Sequence, residues 1–367
     1  MLVPKLRFKE FNDEWESKIM NKFFNIIMGQ SPQSENYTTN SQDTILIQGN
    51  ADLSNGKIIP RLYTTQITKK CNENDIIMTV RAPVGDLAIT KYNACIGRGV
   101  CAIKGNEFLY YNLQIFKQNN GWRKLSKGST IDSITSDDIK NLLLNYPTVL
   151  EQNKIANFLS LLDKKIELQS KKIEILKLYK KGIIYSLGKK QKKWDKYKIK
   201  DIFNITRGIV IPKNILSVKC KDDYVYPVYS SQTFNNGILG YDKDYSYNGK
   251  YLTWTTDGAN AGRVFYRNGK FKCTNVCGIL YDDNKRFTNE LVAELLNYET
   301  PKHVSYIGNP KLMNNVMAEI EIFLPDIDIQ KQVSLLLKML NKKISKKTIK
   351  LTKINQLKKG LMQNMFV

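Results

Sequence analysis

A lysine-rich segment ending at Gly182, DKKIELQSKKIEILKLYKKG, returns 178 residues later as NKKISKKTIKLTKINQLKKG, ending at Gly360. Internal duplication constrains an architecture strongly, because each copy must solve the same burial problem. Pro147 to Leu187 aligns with Pro325 to Met365 without a gap, and 11 of 41 positions are identical. These include both prolines, Gln152 and Gln330, the Lys-Lys-Ile at 164–166 and the Lys-Lys-Gly that closes each segment.

The apolar positions say what each copy is. Ile155, Leu159, Leu162, Ile166, Ile173 and Leu176 in the first copy step by threes and fours, as do Val333, Leu337, Leu340, Ile344, Leu351 and Ile354 in the second. Gln169 and Lys180 fill the two skipped positions in one, and Lys347 and Lys358 in the other. This spacing predicts two amphipathic helices of roughly 60 Å, each carrying one coiled-coil seam. A helix with so narrow a stripe needs a partner, and the other copy is the expected one. An antiparallel pairing would place globular domains at opposite ends of a rod.

The duplication reaches beyond the helices. WESKIMNKFFNIIMGQSP from Trp15 parallels WDKYKIKDIFNITRGIVIP from Trp194, with Phe24 matching Phe203, Asn25 matching Asn204 and Gly29 matching Gly208. Each half is expected to open with a tryptophan, a short helix and a glycine turn. Strand-like runs such as DTILIQG, DIIMTV and KYLTWTT follow, with SNGK, YNGK and RNGK read as turns. The expected fold class is α+β, with domains at 1–146 and 188–324 and long helices at 147–187 and 325–367. A duplicated plan in one chain imitates a symmetric dimer, and dimers of DNA-binding modules read two separated half-sites.

Charge points to the kind of partner. With 57 Lys and Arg against 34 Asp and Glu, the formal net charge is +23, which favours a polyanion such as nucleic acid, although a Lys, Asn and Ile-rich composition alone inflates lysine content. The charged opening and the lack of a long apolar run predict a soluble, cytoplasmic chain. The six cysteines are expected to be free thiols, and no metal site is expected, since Cys273 and Cys277 lack paired partners.

Motifs for chemistry are missing. The sequence has no glycine-rich turn for S-adenosylmethionine beside an NPPY-like motif, no phosphate loop, no metal-spaced carboxylate cluster and one histidine, His303. The chain reads as a binding module rather than an enzyme.

Base edges are read chiefly by Arg, Asn and Gln, while Lys, Ser and Thr mostly hold phosphates. The polar loops of the first domain supply Gln30, Gln48, Asn50, Arg81, Arg98, Lys127, Ser129 and Thr130 as candidate DNA contacts. Those of the second supply Ser231, Gln232, Thr233, Asn235, Asn236, Thr256, Asn260, Arg263 and Arg267. Tyr226, Tyr229 and Trp254 read as core aromatics rather than base-stacking groups.

Taken in order, VPKLRFKEFNDEWE, MGQSP, IQGN, VRAP before GDLAI, CIGRG, KGST and YP before EQNKIANFLSLLDKKI resemble the DNA specificity subunit of type I restriction-modification systems over nearly the whole chain. The second half departs from that pattern, with TDGANAGRV where the first has RAPVGDLAI, Gly85 aligning with Gly262. The resemblance implies two pseudo-two-fold-related target recognition domains, one per half of a bipartite site in double-stranded DNA, joined by two long antiparallel coiled-coil helices. It also implies docking of DNA methyltransferase subunits, restriction and translocase subunits joining through them, and S-adenosylmethionine held by the methyltransferase and not by this chain. Two other readings stay open: the recognition part of a fused restriction-methylation enzyme, and a basic coiled-coil adaptor that binds nucleic acid nonspecifically.

Overall fold

A computed structural model describes residues 2–125, 133–188, 194–232 and 234–367. The chain forms two compact units: Met1–Leu168 with Lys350–Val367, and Gln169–Ile349. Both long helices are present, Val149–Gly188 and Ile327–Met365, and each contributes residues to both units. Every apolar residue of the two stripes is buried or half-buried, while the lysines between them are mostly exposed, so the narrow stripe in the sequence is the inward face of each helix.

In the first unit a six-stranded sheet contains Asn25–Met28, Val100–Lys104, Ile76–Thr79 and Leu87–Ile89 in that spatial order, edged by Lys57–Ile58 and Leu53–Ser54. A five-stranded sheet carries Thr44–Ile47 beside Ala94–Ile96. The core between the sheets and the helices includes Trp15, Met78, Phe108 and Leu159, and Met362, Met365 and Phe366 from the C-terminal end enter it. The N-terminal segment closes the unit. Leu6 donates its N–H to Asn364 O at 2.8 Å, and Arg7 reaches both oxygens of Glu151 at 2.8 and 2.7 Å. Glu151 has no exposed side-chain surface, so this bidentate pair supplies the hydrogen bonds a buried carboxylate requires.

The second unit repeats the plan with one six-stranded sheet, in which Asn204–Arg207, Cys277–Tyr281, Tyr247–Thr255, Val264–Cys273, Tyr226–Tyr229 and Ile238–Asp242 are neighbours in that order. Trp254 is fully buried here, as expected of a core aromatic, whereas Tyr226 and Tyr229 are half-buried.

Two local expectations are corrected. The segments after Trp15 and Trp194 are not helix and turn alone: each begins with a strand, Glu16–Ile19 or Asp195–Lys198, continues through a single short turn of helix and returns as a strand. Of the three segments read as turns, SNGK alone makes a hairpin turn, with φ of 50° at Asn55 and 74° at Gly56. YNGK and RNGK lie within strands, where Gly249 faces Gly269 across the ladder. Their φ values of 123° and 109° favour glycine over side-chain-bearing residues, so glycine suits both of these facing positions in the paired strands. The connection between those strands runs instead through Gly258 and Gly262, with φ of 95° and 83°.

The skipped seam positions are answered individually. In the first unit Lys358 Nζ donates to both oxygens of Asp163, at 2.6 and 2.8 Å, and the Tyr111 hydroxyl donates to Asp163 Oδ2 at 2.8 Å. Burial first, and then the Asp163 charge, push the Tyr111 hydroxyl far above its ordinary value, which keeps it a donor. In the second unit Lys180 Nζ donates to Glu294 Oε1 at 2.6 Å and to Asn341 Oδ1 at 2.9 Å, and Gln169 Nε2 donates to Lys347 O at 3.0 Å.

Candidate nucleic-acid interface

Each unit presents a rim where several strand ends meet, and the two rims are built on the same backbone hydrogen bonds. In the first, Gly29 N donates to Val100 O at 3.0 Å, Gln30 N to Ile96 O at 2.9 Å, Gly97 N to Ile47 O at 2.8 Å and Val80 N to Gly99 O at 2.9 Å. In the second, Gly208 N donates to Cys277 O at 3.0 Å, Ile209 N to Cys273 O at 3.1 Å, Thr274 N to Tyr229 O at 2.9 Å and Thr256 N to Val276 O at 3.0 Å. The Gly85 N to Thr79 O bond likewise recurs as Gly262 N to Thr255 O, both at 2.8 Å, in agreement with the sequence alignment of those glycines.

The matched glycines have a steric cause. A Cβ at Gly29 would lie 2.1 Å from Gly97 O, and one at Gly208 would lie 2.2 Å from Thr274 O. Only glycine lets the backbone come this close to the turn that follows the neighbouring strand.

On the first rim, Gln30, Asn50, Arg81 and Arg98 are exposed and Gln48 is half-buried. The Gln30 carbonyl accepts from the Thr68 hydroxyl, Gln48 N donates to Asp52 Oδ2 at 2.8 Å, and Arg98 N donates to Ser31 Oγ at 3.2 Å. The backbone frame therefore gathers Gln30, Gln48, Arg81 and Arg98 around the 97–99 turn. Lys127, Ser129 and Thr130 lie outside the described residues.

On the second rim, exposure sorts the candidates. Asn235, Asn236, Asn260 and Arg263 are exposed, Ser231 and Gln232 are half-buried, and Thr233 lies outside the described residues. The Gln232 amide is committed to Ile238 O. Thr256 has no exposure and its hydroxyl donates to Asp257 Oδ2 at 2.6 Å. Arg267 is also buried: its guanidinium lies 3.6 Å from the Tyr229 ring centroid, and it donates to Thr253 Oγ1 at 3.2 Å and Asn236 O at 2.8 Å. Burial lowers the guanidinium's affinity for its proton, and the aromatic faces and oxygen acceptors hold the charge in place. Thr256 and Arg267 thus brace the rim from inside and do not offer a free edge outward.

Sequence reasoning missed three groups here. Asn275, exposed at the tip of the 274–276 turn, occupies the place that Arg98 holds in the first unit. Arg207 clamps that turn by donating to Asn275 O and pairs with Asp257 at 3.1 Å. Gln152 and Gln330 stood out as identical residues, but their work was hidden. Each is buried, donates to the carbonyl of the proline five residues earlier at 2.9 Å, and accepts from an asparagine, Asn106 at 2.9 Å or Asn289 at 3.0 Å. Those asparagines cap the helices Glu107–Gln118 and Glu290–Glu299, so one amide ties each long helix to its own domain.

The model of the type I restriction modification DNA specificity domain matches this chain twice, at residues 12–178 and 191–359. A type I specificity subunit of Mycoplasma pneumoniae, S.MpnORF365P, is 34% identical over 221 residues, covering 58% of this chain and 80% of that one. The MpnII type I restriction enzyme specificity subunit of the same organism is 42% identical over 142 residues, 38% of this chain and 42% of that one. The crystal structure of a type I restriction-modification S subunit from M. genitalium matches the fold with a TM-score of 0.74 at 18% identity, covering 100% of this chain and 99% of that one. The chain belongs to the type I restriction-modification specificity subunit family and carries two target recognition domains. The specificity subunit's role is non-catalytic. Among the described residues no helix is long and apolar enough to cross a membrane.

Proposed function

We propose that this chain reads a bipartite site in double-stranded DNA, one target recognition domain per block of bases. The observation that carries the reading is the repeated rim: two units hold the same backbone frame around a projecting turn, while the side chains on that frame differ. A shared frame with different side chains suits a protein that must contact two unlike sequences in the same way. The net charge of +23 supplies the sequence-independent attraction to phosphates.

The two helices pair as an antiparallel coiled coil relating the domains by a pseudo-two-fold, tying the two readers together. Their outward faces carry exposed apolar residues, Leu161, Leu168 and Ile175 on one and Leu335, Met339 and Ile349 on the other. This surface docks DNA methyltransferase subunits, through which restriction and translocase subunits join. S-adenosylmethionine is held by the methyltransferase, and the complex works in the cytoplasm.

Selection of duplexes from a random pool by the full-length chain tests the reading. Two conserved blocks separated by unconserved positions are expected, with affinity falling steeply as salt rises. Enrichment of no sequence at all would leave only nonspecific polyanion binding.

A further inference from the structure

Arg98 and Asn275 stand at the same place in the two units, and they are chemically unlike. Each is the middle residue of a three-residue turn, 97–99 or 274–276, whose two ends are pinned to neighbouring strands. Gly97 N and Thr274 N donate to Ile47 O and Tyr229 O, and Gly99 O and Val276 O accept from Val80 N and Thr256 N. A third bond fixes each middle residue's own backbone: Arg98 N donates to Ser31 Oγ, and Asn275 O accepts from Arg207 Nε. The turns are therefore held on both sides and through the middle.

Against this fixed backbone, both side chains are exposed. Among the described residues neither makes a hydrogen bond or an ion pair, whereas Arg7, Arg61, Arg207 and Arg267 are all committed to internal acceptors. A rigid turn that presents one unspent polar side chain is how a protein places a base-reading group reproducibly.

The chemistry of the two groups selects different bases. A guanidinium offers two parallel donors, which match O6 and N7 of guanine; a carboxamide offers one donor and one acceptor, which match N7 and N6 of adenine. Resting on the functional reading above, we infer that Arg98 reads a guanine in the block bound by the first domain and Asn275 an adenine in the block bound by the second. The two blocks then differ at equivalent positions because one turn was kept and its middle residue was exchanged.

The test repeats the random-duplex selection with full-length Arg98→Ala and Asn275→Ala variants. Arg98→Ala should lose discrimination at one G·C position of one block by about 5- to 150-fold and leave the other block intact. Asn275→Ala should do the same at one A·T position of the other block. Arg98→Lys should keep part of the guanine preference, since an ammonium also reaches O6 and N7. Because neither side chain is bonded among the described residues, unchanged thermal unfolding is expected for all three variants. An even loss of affinity on every duplex, with a shallower salt dependence, would make Arg98 a phosphate contact and overturn its assignment. Relaxation at a base pair of the wrong type would overturn it equally. If the unaltered chain selects two blocks and these variants do so identically, the assignment fails while the functional reading stands; if the unaltered chain selects nothing, the functional reading itself fails.

Discussion

The lysine at the skipped seam position is common to both units, but the carboxylate that neutralises it is not. In the first unit Lys358 meets Asp163 of the other long helix, and Tyr111 of the domain completes the group. In the second, Lys180 meets Glu294 of the domain helix, and Asn341 stands where Asp163 stands in the first copy. Tyr111 and Glu294 are themselves equivalent, each five residues beyond the capping asparagine, Asn106 or Asn289. The duplicated chain has thus kept the requirement that a largely buried ammonium find an anion, and has let the anion change address. A buried charge without a partner is costly, so this freedom extends only to solutions that keep the charge paired.

A difference in burial and charge separates the starts of the two long helices. Glu151 is wholly buried and paired to Arg7, whereas its counterpart in the second copy is Ile329, 40% exposed and without charge. Arg7→Met would leave Glu151 buried and unpaired, and should destabilise the first unit by about 3 to 5 kcal/mol. Ile329→Ala should change the second by no more than about 1 kcal/mol. Urea unfolding followed by unit-resolved hydrogen exchange measures both; equal losses would erase the distinction.

A smaller contrast is expected at the two lysines. Lys180→Met strips a charged hydrogen bond from Glu294, whose side chain is only 22% exposed, and should cost about 2 kcal/mol. Lys358→Met leaves Asp163, 39% exposed and still holding the Tyr111 hydroxyl; screening by water reduces that loss to about 1 kcal/mol. The reverse ranking would mean that the long-helix carboxylate matters more than its exposure suggests.

What could be read from the sequence divides along the same physical line. The long helices were legible because their signal is periodic and local: each of the twelve seam residues named falls on the buried or half-buried face. The polar interruptions were visible at Gln169, Lys180, Lys347 and Lys358, yet their partners at Glu294 and Asn341 come from elements distant in sequence. YNGK and RNGK misled because Asn-Gly is a local turn signal, and pairing over the long 247–254 ladder overrode it. At the rim, loop composition named the exposed Arg98 alongside the buried Thr256 and Arg267, since burial is set by tertiary packing that composition does not encode. Asn275 was passed over for the same reason. Nothing around it in sequence marks TNV as the counterpart of GRG; the shared backbone hydrogen bonds do.

Independent reading of DNA by the two units from a common frame can be measured by replacing residues 15–146 with the corresponding domain of a relative and sequencing the duplexes selected by the folded chimera. One block of bases should change to the relative's and the other should be retained. A change in both blocks would contradict independent reading, and would mean that the two rims act as one fused reading surface.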